Sequence, residues 1–476
     1  MVVALGTAWL LEGLEISVAS SVADALKGPG TLGLSAPQVG LIATVYLVGE
    51  VVGALFFGDL ADRLGRRKLF IITLGVYLIG SGLTAFTLGS SAIWLVFMYL
   101  TRFIAGMGIG GEYSAIHSAI DELTPAKYRG RVDIGIGGTY WGGAFLGTLA
   151  VAFLLSTLPA NIGWRIGFLI GPVLALTIIF VRRNLPESPR WLLMHGRTEE
   201  AERNVTFIEG EVERRKGITL PEVDDSKELE IRPSEHRSYL TLVRVLFKTY
   251  PQRSILGASL MISQSFLYNA IYFTAAIVLG TFFHVPTAQV PLYLAAFAIG
   301  NLAGPLIIGR HFDTIGRKKM IAGTYLLSGV LLAVSAVLFE VGALNAVTQT
   351  IVWVVIFFFA SAGASAGYLT VSELFPVEVR AQAIAVFFAI AQCFGALGPL
   401  LYSALIGDGS NPTLLFFGYL IGAAVMVAGG LVEVFLGVDA ENKSLEDVAT
   451  PLSAVRHAVG KIGDAIQPPP PAAPAD

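Results

Sequence analysis

Residues Gly58 to Lys68 read G-D-L-A-D-R-L-G-R-R-K, and the organisation of the chain follows from where that stretch sits and where it recurs. It lies between two long apolar runs and packs Asp59, Asp62, Arg63, Arg66, Arg67 and Lys68 into eleven positions. A weaker copy, G-R-H-F-D-T-I-G-R-K-K, occupies Gly309 to Lys319. Gly58, Asp62, Gly65 and Arg66 are each answered 251 positions later, by Gly309, Asp313, Gly316 and Arg317. A second pair, Glu122-x-x-Pro125-x-x-x-Arg129 and Glu373-x-x-Pro376-x-x-x-Arg380, keeps the same displacement of 251. Two matches in one register mark a duplicated unit.

Composition says where that unit lives. Charged residues make up 14% of the 476 and apolar residues 54%, against about 25% charged in ordinary soluble domains. Mean hydropathy is +0.69. Apolar runs of the roughly 20 residues that a bilayer crossing needs recur along the chain, so a polytopic membrane protein is expected. The net charge of -3 says little, since its distribution matters more. One cysteine, Cys393, excludes an intrachain disulfide and a cysteine metal site. No cleavable signal is visible, and Met1 opens directly on an apolar run without the usual polar leader.

Twelve helices are expected, over 2–26, 37–58, 69–89, 92–120, 132–156, 163–184, 254–283, 287–309, 320–341, 346–372, 381–407 and 412–437. They divide the chain into a six-helix bundle at 1–185, a linker at 186–253, a second bundle at 254–437 and a tail at 438–476. Of the 32 Lys and Arg, all but Lys27, Arg102 and Arg165 fall in connections on one side or in the tail. By the positive-inside rule that side, with both termini, is cytoplasmic. Thr198 to Lys216 and Ser234 to Tyr250 read as amphipathic helices, the second with Leu240, Val243, Leu246 and Phe247 on its apolar face. They are expected to brace the two bundles. Glu222 to Glu230 reads as an acidic linker, and the tail from Gln467 is rich in proline and alanine and expected to be disordered.

Ionisable groups inside a bilayer cost at least about 2.5–3.5 kcal/mol each, so they mark function by default. The first half carries Glu12 and Glu15 in helix 1, Glu50 in helix 2, and Arg102, Glu112 and His117 in helix 4. Across the repeat, Glu15 falls on Phe266, Arg102 on Trp353 and Glu50 on Asn301. This reads as a division of labour: proton coupling through Glu15, Arg102, Glu12 and Glu50, and neutral hydrogen bonding of a solute in the second half. Glu15 lies about 18 Å from the outer end of helix 1 and Arg102 about 16 Å from that of helix 4, so they can meet near the midplane. A carboxylate beside a guanidinium is held charged, and one facing an apolar wall is held neutral. Motion between helices 1 and 4 would then bind or release a proton. The alternative is a permanent ion pair that only fixes one helix against the other. Glu112 reads equally as a helix-packing acid or a relay, His117 as an interface histidine, and Gly106, Gly108, Gly110 and Gly111 as a site of close helix approach. For the solute, Gln264, Asn269 and Asn301 lead, because each amide offers donors and acceptors. Tyr268, Tyr272, Tyr368, Gln392 and Trp141 are weaker candidates.

The chain resembles the major facilitator superfamily, whose signature is similar to Gly58–Lys68 and its echo. Pro186-Glu187-Ser188-Pro189-Arg190-Trp191-Leu192, Arg102-x-x-x-Gly106-x-Gly108-x-Gly110, Arg129-Gly130 and Ser372-Glu373-Leu374-Phe375-Pro376 are similar to motifs of its sugar-porter and metabolite–proton symporter branch. The resemblance implies an all-α membrane protein with twelve helices in two pseudo-symmetric bundles. It also implies that Glu15 and Arg102 occupy the places of a helix 1 acid and a helix 4 arginine in proton symporters, and that Asn301 falls where the branch has a helix 8 Asn. A cytoplasmic lock follows from it too, made of Asp62, Arg66, Arg67, Glu122, Arg129, Glu187, Arg190, Asp313, Arg317, Glu373 and Arg380. The alternative for these charges is a solvated topology signal, since exposed pairs are worth only about 0–1 kcal/mol.

The chain also departs from the branch. Gly137-Gly138 stands where a Gln-Leu pair is usual, Ala364–Tyr368 replaces G-P-x-P-W, Ser263 replaces the first helix 7 glutamine, and Val438–Asn442 replaces P-E-T-K-G. Hexose recognition is therefore not part of the expectation. What is expected is a plasma- or inner-membrane transporter, monomeric and without cofactor or metal, that carries a small polar solute such as a sugar, polyol or related metabolite with protons. An uncoupled facilitator and a drug–proton exporter are the rivals, followed by a non-transporting sensor. No nucleotide loop or paired nucleophile suggests an enzyme, and nothing suggests nucleic acid.

Overall fold

With backbone groups obliged to bond internally in hydrocarbon, apolar runs of this length fold as helices. The computed structural model describes residues 2–123, 126–182, 187, 189–217, 219–220, 239–375 and 377–438. The first half comprises α1 (Val2–Val22), α2 (Ala36–Leu64), α3 (Arg66–Thr84), α4 (Ala92–Leu123), α5 (Ala126–Thr157) and α6 (Ala160–Arg182). Three helices lie in the connection, α7 (Pro189–Met194), α8 (Thr198–Lys216) and α9 (Tyr239–Thr249). The second half comprises α10 (Pro251–Phe282), α11 (Val290–Ile308), the single turn α12 (His311–Thr314), α13 (Arg317–Glu340), α14 (Ala346–Glu373), α15 (Val377–Ile406) and α16 (Pro412–Leu436). No strand occurs among the described residues. Among the described residues nine helices are long and apolar enough to cross a bilayer, and α3 and α6 carry shorter apolar stretches. Large apolar side chains such as Phe56, Phe86, Ile93, Phe153 and Phe435 stand exposed on the periphery, where lipid would cover them.

Several elements differ from expectation. The first helix stops at Val22, and a separate 3-10 turn at Ala25–Lys27 redirects the chain. The helix expected from residue 254 starts at Pro251, a residue suited to a first helical turn because it lacks the N–H that would go unbonded there. In α9 the buried residues are Leu242 and Leu246, while Phe247 is exposed, so the packed face is rotated from the one read from spacing. Leu240 has no described side chain, and neither the acidic stretch 222–230 nor the tail from residue 439 lies within the described residues.

Helices within a half approach at backbone distance, and glycine permits it. A Cβ on Gly106 would strike the Tyr46 carbonyl, one on Gly110 that of Glu50, and one on Gly108 would meet the Tyr77 amide at 2.6 Å. Thus α4 seats α2 on one face and α3 on the other. Gly304 does the same for α11 against Phe358 of α14. Gly65 and Gly316, related by the repeat, hold φ of 86° and 114° at the starts of α3 and α13. A side chain is disfavoured there, and at Gly65 it would also strike the Glu187 carboxylate.

The halves are tied together on the face opposite α7–α9. Lys27 Nζ donates to Thr281 Oγ1 at 2.8 Å, and Thr287 Oγ1 to Asp24 Oδ2 at 2.8 Å. Deeper in, Ser17 and Tyr272 share a hydroxyl pair at 2.5 Å, and Thr44 Oγ1 donates to the Ala396 carbonyl at 3.0 Å. Gly110→Leu is expected to wedge α2 from α4: the purified protein should lose its symmetrical gel-filtration peak and melt several degrees lower. Gly75→Leu, where a Cβ would meet nothing within 4 Å, should do neither.

Candidate functional site

The Glu15 and Arg102 side chains meet as their depths predict. Arg102 Nη1 donates to Glu15 Oε1 at 2.8 Å, with 1% and 0% of the two side chains exposed. Ser81 of α3 donates to the same carboxylate oxygen. The guanidinium carbon lies 4.4 Å from the ring centre of Tyr46 in α2 and 5.1 Å from that of Phe168 in α6. Four helices besides α1 therefore enclose the pair. A Cβ at Gly171 would stand 2.8 Å from Glu15 Oε2 and 2.6 Å from the Tyr77 hydroxyl, so that site is filled as far as glycine allows.

A cavity of about 150 Å³ lies between the halves on the α7–α9 side of the ties, and the ion pair does not line it. Glu12 and Glu50 do. Glu12 is set off by three residues from Glu15 on α1, enough to turn one acid to the cavity and the other to α3 and α4. Glu50 follows Tyr46 by one turn on α2, so one helix face touches both the ion pair and the cavity. Opposite them stand Gln264, Ser265, Tyr268 and Asn269 of α10, Ser361, Ser365 and Tyr368 of α14, and Phe388 and Gln392 of α15. Trp9, Tyr140 and Trp141 complete the first-half wall. Trp141 and Gln392 are themselves related by the 251-residue shift, an aromatic on α5 answered by an amide on α15.

The polar groups form a chain across the halves. Asn269 Nδ2 donates to Gln392 Oε1 at 3.1 Å and Ser265 Oγ to the same oxygen at 2.5 Å. Gln392 Nε2 in turn donates to the Glu50 carboxylate, and Gln264 Nε2 to the Tyr368 hydroxyl. Two expected solute ligands lie elsewhere. Asn301 is fully buried behind the wall, accepting from Tyr268 Oη at 2.8 Å and donating to the Phe297 carbonyl at 3.0 Å, so it orients Tyr268. Tyr272 is buried one layer out, on Ser17 and the edge of Trp141. Tyr140, Trp9 and the three serines carried no sequence signal that separates them from packing residues.

Of the expected lock, Arg317 pairs with Glu373, both nearly buried. The repeat relates these two to Arg66 and Glu122. Arg253 Nη1 caps the end of α14 through the Leu374 carbonyl at 2.8 Å. The Glu187 carbonyl accepts from Asn204 Nδ2 at 3.0 Å. The side chains of Asp62, Arg66, Arg67, Glu122, Arg129, Arg190, Asp313 and Arg380 lie outside the described residues, as does that of His117.

Two duplicated six-helix halves around a central polar cavity define a membrane transporter of the major facilitator superfamily. The chain belongs to the sugar (and other) transporter family, whose model matches residues 8–451. It is 26% identical over 449 residues to the niacin transporter NiaP of Acinetobacter baylyi, covering 93% of this chain and 94% of that one. To the glucose transporter GlcP of Staphylococcus epidermidis it is 27% identical over 427 residues, covering 87% and 89%. Its fold is similar to the structure of the proton:xylose symporter XylE bound to 6-bromo-6-deoxy-D-glucose, with TM-score 0.75, 20% identity, and 94% and 97% of the chains covered. The protein is a multi-pass membrane transporter of sugars or other metabolites and not an enzyme.

Removing one member of a buried ion pair leaves an uncompensated charge, at a cost of about 3–5 kcal/mol. Arg102→Ala should therefore lower the melting temperature sharply, and adding Glu15→Gln to it should restore most of the loss. Additive losses in that double-mutant cycle would show that the two side chains do not act as a pair.

Proposed function

We propose that the protein is a proton-coupled symporter that imports a small polar organic solute by rocking its two halves about the central cavity. The single observation that carries the reading is the Glu15–Arg102 pair, buried in the first half beside a cavity both halves share. A charged carboxylate out of water is tolerable only while paired and hydrogen-bonded. Any rearrangement that draws α1 from α4 must then deliver a proton to Glu15, and its reversal must release one. Glu50, reached from Gln392, ties the same half to the solute-facing amides of the other. Relatives named for niacin and glucose support a solute the size of a single ring.

In this reading the chain divides at 1–185, 186–253, 254–437 and 438–476, acts as a monomer in the plasma or inner membrane, and keeps α7–α9 and both termini in the cytoplasm. The ties of Asp24 and Lys27 then close the outside, and the Arg317–Glu373 pair belongs to the cytoplasmic lock. Full enclosure of the ion pair also supports a second reading, an uncoupled facilitator in which Glu15 never titrates.

Proteoliposomes separate the two. Glu15→Gln should abolish accumulation driven by an acid exterior while counterflow exchange continues, and undiminished accumulation would leave the facilitator standing. Gln264→Ala and Asn269→Ala should each raise the half-saturating solute concentration about tenfold or more. An unchanged value for both would remove α10 from the solute site.

A further inference from the structure

The cavity has a chemistry more specific than polar. Its walls carry six aromatic rings, those of Trp9, Tyr140, Trp141, Tyr268, Tyr368 and Phe388, drawn from both halves. Trp141 and Tyr268 face across the seam between halves with centroids 5.7 Å apart, and Trp9 meets Tyr140 edge-on at 6.0 Å. A volume of about 150 Å³ matches the engineered protein cavity that takes up benzene.

Two carboxylates face this space, and among the described residues no Lys, Arg or His lines it. The nearby Arg102 is held by Glu15 between two rings, away from the cavity. Glu12 is 7% exposed and makes no hydrogen bond among the described residues. Among the described residues Glu50 accepts from Gln392 alone. The amides, by contrast, are engaged with one another and with Tyr368, which leaves few open donors for the many hydroxyls of a polyol.

A buried carboxylate keeps its charge only beside a partner, and a cationic solute would be the charged partner that Glu12 and Glu50 lack among the described residues. Aromatic faces add attraction for cations and none for anions. We propose that Glu12 and Glu50 with the aromatic walls form a binding site for a solute of one aromatic ring bearing a positive charge. This rests on the transport reading and narrows its substrate. The ring packs against the Trp141–Tyr268 pair on its cavity side, and the cationic substituent points to the two acids on α1 and α2. Glu12 and Glu50 are then specificity residues, while Glu15 keeps the proton-linked role.

Benzylammonium, benzyl alcohol and benzoate share a shape and differ in charge, and Trp9 and Trp141 report on the cavity through intrinsic fluorescence. Titrated into the purified full chain at pH 7, benzylammonium should bind at least tenfold tighter than benzyl alcohol, and benzoate weakest. Glu12→Gln and Glu50→Gln should each reduce that preference several-fold while still binding benzyl alcohol, which also reports that the variants are folded. Should either variant fail to fold, the charge series on the unaltered protein decides alone. Benzoate binding as tightly as benzylammonium, or a preference that survives both substitutions, overturns the assignment. So does counterflow of glucose or xylose with benzylammonium inert, an outcome that leaves the transport reading intact. Preferential binding of benzylammonium without any exchange in proteoliposomes upholds the site and overturns transport.

Discussion

Glu15 and Arg102 bond directly to each other out of reach of solvent, and the first half is assembled around that pair. α1 supplies the acid and α4 the base, while α3 contributes the Ser81 hydroxyl and α2 and α6 the rings above and below the guanidinium. No one of these helices can leave without exposing a charge to hydrocarbon or to an empty space. Gly171 completes the enclosure by what it lacks, since a methyl group there would displace the carboxylate.

The second half makes the opposite choice from the same ancestral plan. At the position related to Arg102 stands Trp353, fully buried, and at that of Glu15 stands Phe266. Phe297, Phe357 and Trp353 pack ring on ring where the first half places charge. Replacing a buried ion pair by apolar side chains is commonly neutral or stabilising. The apolar version is therefore the ordinary core, and the charged version is the one that requires a functional reason. Asn301, which answers Glu50 in the repeat, has been drawn into the core to hold Tyr268.

Duplication, helix number and the meeting of Glu15 with Arg102 were legible because they depend on spacing along the chain. Depth in a helix is a count of residues. What spacing does not give is the rotation of each helix against its neighbours, and every misplacement has that origin. Asn301 was placed at the solute by its amide and by the resemblance, and Tyr272 as a weaker candidate, yet neither side chain lines the cavity. The apolar face of α9 was read with Phe247 in it, yet Leu242 is buried instead. Spacing also does not show that Arg317 takes Glu373 of α14 as a partner. Glu12 and Glu50 were grouped with the proton pair because all are ionisable groups in the helices of the first half, and spacing alone does not show that they line the cavity. A rotation of about a sixth of a turn separates Glu12 from Glu15, and it puts one in the cavity and the other in the ion pair.

The glycine seams of α4 carry a mechanical consequence. Where backbone touches backbone there is no side chain to change rotamer, and sliding by even one atom meets hard repulsion. α2, α3 and α4 are thereby keyed to one another like laminations of a beam, stiff against shear. Among the described residues the boundary between halves has one such close approach, Gly40 of α2 on Ser403 and Pro399 of α15, and is otherwise crossed by hydroxyls, amides and a few charged ties that can exchange partners at small cost. Stiffness inside and compliance at the joint are what a lever requires, for only then does a displacement at the solute arrive undiminished at the far end of the helices.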